Sequence, residues 1–307
     1  MGSQYRFCTH RTVFVSWCLV GLLLAVYAGC AGSHVQTETL REGGTLDDLI
    51  GSGARIMWVG AHPDDEALAG PIFARAGPVL HNPLLFFVMT HGDGGECLLP
   101  GGCHPDLKTV RGEEMKEVAR LYQATLVHEA YYNAPLPVKS FPPRHEIAAK
   151  WLSQGDPALK IARIIREFKP DVVLTFDPDR GFTNHPEHQL ISRFATQAIR
   201  LADDPGVQID GLPRFRVPNT YYVKNRYWIF VLLGKADPGP YSETFDATQE
   251  CLAGERCRDV MAEFTRPHRT QANDMGTVRR LKWMIDKLYL YRVDPWKEPK
   301  DPLEPAQ

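Results

Sequence analysis

Apolar runs that lack polar alternation constrain this chain more than any other feature. IMWVG (56–60), LLFFVMT (84–90) and DVVLTFDP (171–178) each hold apolar residues at consecutive positions. A strand with one wet face alternates, so these runs predict strands buried on both faces, as in a parallel sheet covered by helices. ATLVHEAYY (124–132) supplies another strand, and TYYVKNRYWIFVLLG (220–234) one or two more, including an antiparallel edge. Between them, helical spacing marks 67–76, 108–122, a helix ending over 161–168, 188–202 and 273–289. Pro71 is tolerated only in a first turn, and Lys169-Pro170 stops the third helix. The predicted class is α/β, with three layers, a mostly parallel sheet and the ligand beyond the strands' carboxyl ends.

The N-terminus reads differently. Arg6, His10 and Arg11 precede an apolar stretch from Val13 to Ala28, the pattern of a bacterial export signal. It ends in Tyr27-Ala28-Gly29-Cys30, which resembles the lipobox of bacterial lipoproteins, where the cysteine is lipidated and becomes the first mature residue. Tyr27 stands where leucine is usual, and an uncleaved membrane anchor is the alternative. The expected layout is a signal segment over 1–30, a polar tether over 31–45, one domain over 46–294 and a Pro-rich tail over 295–307. The expected location is the cell envelope, lipid-anchored and facing the periplasm in a Gram-negative cell. Export permits disulfides, and the body carries two cysteine pairs of equal spacing, Cys97/Cys103 and Cys251/Cys257. Two short-loop disulfides are expected, with a four-cysteine zinc site as the alternative. A net charge of −2 gives no reason to expect nucleic acid as a partner.

The chemistry gathers after the strands. AHPDDE (61–66) follows the first run and places His62, Asp64, Asp65 and Glu66 at the mouth of the sheet. Mutually repelling acids beside an imidazole make sense around a cation. TNHPEHQ (183–189), after another strand, adds His185 and His188. An imidazole and a carboxylate from one loop, with an imidazole from the other, make a three-ligand divalent site with an open position, as hydrolysis requires. Such an ion brings bound water near neutrality, and a non-ligating carboxylate takes its proton. There is no Gly-x-Gly-x-x-Gly and no Walker loop, so a dinucleotide or nucleoside triphosphate is not expected.

These two motifs together resemble the PIG-L/LmbE-like family of zinc-dependent de-N-acetylases acting on N-acetylglucosaminyl groups, with a Rossmann-like fold. THGDGG (90–95), Arg111-x-x-Glu114 and His268-x-x-Gln271 agree more weakly. The likeness is good over about residues 54–200. The resemblance implies Zn2+ on His62, Asp65 and His188, with another divalent ion such as Fe2+ as an alternative. It implies Asp64 as general base, His185 as the group that polarises the carbonyl or protonates the amine, and Arg111 against substrate. His268 is assigned either to the substrate or to the site's outer support. Pro71 and Tyr122-Gln123 depart from the family pattern without touching the ligands, and the cysteine-bearing loops lie outside it. The expected activity is removal of an N-acetyl group from an amino-sugar derivative. Another small N-acyl substrate is the alternative within the same chemistry, and a non-catalytic carbohydrate-binding lipoprotein the alternative outside it. A binder has no need of Asp64.

Overall fold

The computed structural model describes residues 43–303 except 235, 238 and 299; the signal-like segment with Cys30, and most of the tether, lie outside the described residues. Among the described residues seven strands form one sheet in the order β3-β2-β1-β4-β5-β7-β6. They are β1 (Ile56–Gly60), β2 (Leu84–Thr90), β3 (Ala124–Tyr131), β4 (Val172–Phe176), β5 (Asn219–Lys224), β6 (Glu243–Asp246) and β7 (Lys287–Val293). The first five run parallel, with Ile56 opposite both Leu84 and Val172. β7 is antiparallel to both β5 and β6. Every residue of β1, β2 and β4 is buried, as their unbroken apolar runs require.

Among the described residues ten α-helices flank the sheet: the four-residue turn Gly181–Asn184, and α1 (Leu46–Gly51), α2 (Gly70–Ala74), α3 (Leu107–Leu121), α4 (Arg144–Ser153), α5 (Pro157–Phe168), α6 (Pro186–Asp203), α7 (Trp228–Leu232), α8 (Cys257–Phe264) and α9 (Ala272–Leu281). Asp156 starts α5 by accepting the Ala158 N–H at 2.8 Å, with Pro157 in the first turn. α6 packs on α5, β4 and β1, which brings its N-terminus over the sheet's carboxyl edge. Trp58 anchors the core by edge contacts to Phe176 (5.1 Å) and Phe73 (5.8 Å).

Three sequence expectations need correction. Residues 225–234 are not strand: the chain leaves β5 at Lys224 and turns into α7. The predicted helix over 273–289 ends at Leu281, and its last residues belong to β7, where Leu288 and Leu290 alternate with more exposed neighbours against β5 and β6. The segment 67–76 is a composite of a 3-10 turn, α2 and the beginning of a π turn over Arg75–Val79. The described part of the tail is held to the domain: Trp296 lies under Arg216 at 4.0 Å, Lys300 pairs with Asp179 at 2.9 Å, and Arg193 donates to the Asp301 carbonyl. Among the described residues no helix is long and apolar enough to cross a membrane.

Candidate metal centre

β1 and β4 are neighbours, yet their chain connections leave in opposite directions along the sheet, and the crevice at such a reversal is where open α/β sheets bind ligands. The loop after β1 supplies the first half of the site. Asp65 Oδ2 accepts the N–H groups of Ala61 (2.7 Å) and His62 (2.8 Å), which locks its carboxylate and leaves Oδ1 facing outward. Asp64, at φ 103°, takes the left-handed region that Asp tolerates better than most residues, and so the adjacent aspartates diverge. Its Oδ2 accepts from Gln271 Nε2, which also donates to the Pro63 carbonyl at 2.9 Å.

The loop after β4 supplies the rest. His185 caps α6, Pro186 opens it, and Glu187 and His188 fill its first turn. His188 Nδ1 lies 2.9 Å from the Gly181 carbonyl and donates to it, leaving Nε2 as the free donor atom. Gly181 has φ +54°, and a Cβ there would come within 2.9 Å of His188 Cβ, so the approach needs glycine. Glu187 is fully buried and was not singled out from the sequence. Its Oε2 accepts from His62 Nε2 and Asn133 Nδ2, both at 2.8 Å, and its Oε1 from the Ala134 N–H at 2.9 Å. That bond directs the His62 Nε2 proton to Glu187, so the neutral ring presents its Nδ1 lone pair inward to a cation.

His62, His185 and His188 each offer a ring nitrogen, all within 4.8 Å of one another, a cluster that fits a single divalent ion of the zinc type. Asp65 belongs to the same cluster. Its Oδ1 is 3.0 Å from His188 Nε2 and 3.6 Å from His62 Nδ1, and those two nitrogens are 3.1 Å apart. Donors around a tetrahedral ion with bonds of about 2.1 Å stand about 3.4 Å apart. His185 stacks on His188 at 4.5 Å and meets His62 and Phe141 edge-on; its buried Nδ1 has no hydrogen-bond partner.

The field at this point favours positive charge. Burial opposes a charge on His62, yet Asp65 and Glu187 outweigh it and raise the imidazole to about 10. Burial likewise works against ionised Asp65, but His188 and His62 hold it well below the usual carboxylate range. Asp64 goes the other way: burial, then the neighbouring Asp65 charge, push it up to about 8. His185 is held well below its ordinary value by burial and by the His188 and His62 charges, so it rests neutral.

These groups open into a cavity of about 700 Å³. Arg111 lines it, threaded through the glycine loop, with its guanidinium donating to the Gly92 and Glu96 carbonyls at 2.6 and 3.2 Å. A Cβ at Gly92, whose φ is +67°, would come within 2.4 Å of that guanidinium. The outer walls are apolar, with Phe182, Tyr227 and Phe230 from one segment pair and Met275, Leu281 and Ile285 from another. His268 corrects the substrate-contact expectation: it is buried and does not line the cavity. It meets Glu66 at 2.9 Å, and Glu66 in turn accepts the Asp64 N–H, so His268 braces the loop from behind. Glu114 is likewise internal, accepting from the Thr270 backbone and hydroxyl.

The cysteine pairs part company. Cys97 and Cys103 form a disulfide beside Glu96 and Leu98 of the cavity wall. Cys251 and Cys257 are buried free thiols, hydrogen-bonded to each other, so the second expected disulfide is not formed. Each backbone is committed separately, Cys251 N–H to the Glu255 carbonyl at 2.7 Å and Cys257 N–H to Gln249 at 3.0 Å.

The sequence profile described as PIG-L, GlcNAc-PI de-N-acetylase, matches residues 57–199. A 1D-myo-inositol 2-acetamido-2-deoxy-alpha-D-glucopyranoside deacetylase of Thermobifida fusca is 30% identical over 208 residues, covering 61% of this chain and 69% of the relative. One of the same description from Streptomyces avermitilis is 26% identical, covering 57% of this chain and 60% of the relative. The chain thus spans between 46% and 69% of the length of such relatives. In fold, the chain is similar to the N,N'-diacetylchitobiose deacetylase of Pyrococcus horikoshii, with a TM-score of 0.57 at 14% identity over 82% of this chain and 88% of that one.

Proposed function

Because the chain belongs to the PIG-L/LmbE-like de-N-acetylase family, we propose that it hydrolyses the N-acetyl group of an amino-sugar derivative, releasing acetate and a free amine. The observation that carries this reading is the close triad of His62 Nδ1, Asp65 Oδ1 and His188 Nε2, with Asp64 beside it lining the same cavity. We assign the triad as the ligands of a zinc-type ion. Bound there, the ion supplies Lewis acidity and lowers the pKa of water to near 7. Asp64, positioned by Gln271 and held ionised by a cation in the adjacent site, takes the proton as the water oxygen bonds to the acyl carbon, and delivers it to the nitrogen as the C–N bond breaks. His185, neutral at rest, donates its ring N–H to the carbonyl oxygen as negative charge gathers there. Arg111 serves as a fixed cation on the substrate side of the cavity. The names of the relatives support an acetamido-sugar as substrate, and the apolar outer walls leave room for its aglycone.

Acetate release from a panel of N-acetylated amino sugars tests the proposal. We expect release that stops with a chelator and returns with added Zn2+. Release from simple N-acyl amino acids but from no sugar favours the broader N-acyl reading, and no release from any substrate by zinc-loaded protein removes the proposed function. We further propose export, with a lipid on Cys30 tethering the domain to the cell envelope; the N-terminal sequence supports this.

A further inference from the structure

The rim of the cavity carries apolar side chains that the proposed chemistry does not use. The segment containing α7 leaves Trp228 52%, Leu232 74% and Leu233 58% exposed, with Val231 beside them. The end of α9 and the turn after it leave Leu281 and Trp283 exposed, the latter at 58%. Both segments reach the one cavity, through Tyr227 and Phe230 on one and Leu281 and Met284 on the other, so their exposed groups flank its mouth. Scattered single apolar residues need no explanation, but two tryptophans and several aliphatics around one opening do.

Charge says what they face. Residues 226–233 and 277–287 hold five cations, Arg226, Arg279, Arg280, Lys282 and Lys287, against one carboxylate, Asp286. Asp286 is paired by Arg258, and Lys282 pairs with Asp259. Among the described residues Arg226, Arg280 and Lys287 form no ion pair. A second copy of the chain docked face to face would oppose these cations to themselves. An anionic bilayer surface suits both features: tryptophans settle at the headgroup level, aliphatics enter the acyl boundary, and Arg and Lys meet lipid phosphates. We infer that the α7 segment and the turn after α9 form a membrane-docking rim that seats the cavity mouth on an anionic lipid surface. This contact is separate from any N-terminal anchor and does not depend on the hydrolytic reading.

The test uses the full chain carrying Trp17→Phe, so that no tryptophan reports from the N-terminal apolar segment. It is mixed with vesicles of equimolar phosphatidylcholine and phosphatidylglycerol whose acyl chains are brominated. Trp58 and Trp151 are fully buried and Trp296 is covered by Arg216, so contact quenching reports mainly on Trp228 and Trp283. We expect quenching that weakens in high salt and on phosphatidylcholine alone. It should be largely lost when both residues become Phe, and need roughly tenfold more lipid when Leu232→Glu and Leu233→Glu are introduced. Quenching unchanged by removing both tryptophans overturns the proposal. So does absent quenching, and a dimer in sedimentation that Leu232→Glu dissociates then makes the rim an interface between copies.

Discussion

Glu187→Gln should weaken metal binding without touching a proposed ligand. In the native site Glu187 only accepts: Oε1 from Ala134 N–H, Oε2 from His62 Nε2 and from Asn133 Nδ2. A glutamine amide has one oxygen and one NH2, so one orientation sets its NH2 against the His62 and Asn133 donors and the other against Ala134. Turning the NH2 toward His62 makes Nε2 the acceptor and moves the ring proton to Nδ1, the atom that faces Asp65 and His188. To ligate the ion, the ring must then take the other neutral tautomer, whose Nε2 proton faces the amide NH2. A hydrogen bond to a charged group contributes about 1.5–3 kcal/mol net, and about 1.4 kcal/mol is tenfold in affinity. The zinc Kd should therefore rise roughly 10- to 100-fold, the usual range for such supporting groups. Competition against a chromophoric chelator measures it, with circular dichroism confirming the fold. A Kd within about threefold of wild type would refute the argument that Glu187 sets the His62 tautomer.

Other outcomes follow from the same description. Cys97 and Cys103 should resist alkylation until reduced, while Cys251 and Cys257 should label on unfolding without reductant; mapped peptides decide it, and Cys97→Ser should cost about 2 kcal/mol from the short loop. Burial, then the neighbouring His91, hold His128 down to about 4, below its ordinary 6.5. A depressed histidine contributes stability above about 6.5 that is lost as pH falls through about 4, so His128→Gln should flatten the acid loss in urea titrations, and an unchanged profile counts against it. Cys30→Ser should abolish labelling by a fatty-acid analogue; labelling that persists ends the lipoprotein reading.

The parallel half of the sheet was legible because strands buried on both faces have no choice but to be apolar throughout. The motifs following β1 and β4 were legible because each lies within a few residues of sequence. What failed was ambiguous locally. Met275, Val278, Leu281, Ile285 and Leu288 satisfy helical spacing, yet Leu288 and Leu290 also satisfy the alternation of a strand, and only pairing with β5 and β6 decides. Glu187 lies 125 positions from His62, and nothing in HPEH says which imidazole its carboxylate meets. Equal cysteine spacing hid two different outcomes, a disulfide in one loop and a pair of buried thiols in the other.

The division of labour between adjacent aspartates is the centre of the account, and metal content measured beside acetate release on one identified substrate tests it most directly. Asp64→Asn should retain the ion and lose turnover by about 10² or more, the scale of general-base loss. Asp65→Ala and His188→Ala should instead lose the ion, because two remaining donors hold it poorly. An Asp64→Asn protein that is empty of metal, beside an Asp65→Ala protein that stays loaded, would reverse the two roles and contradict the site described.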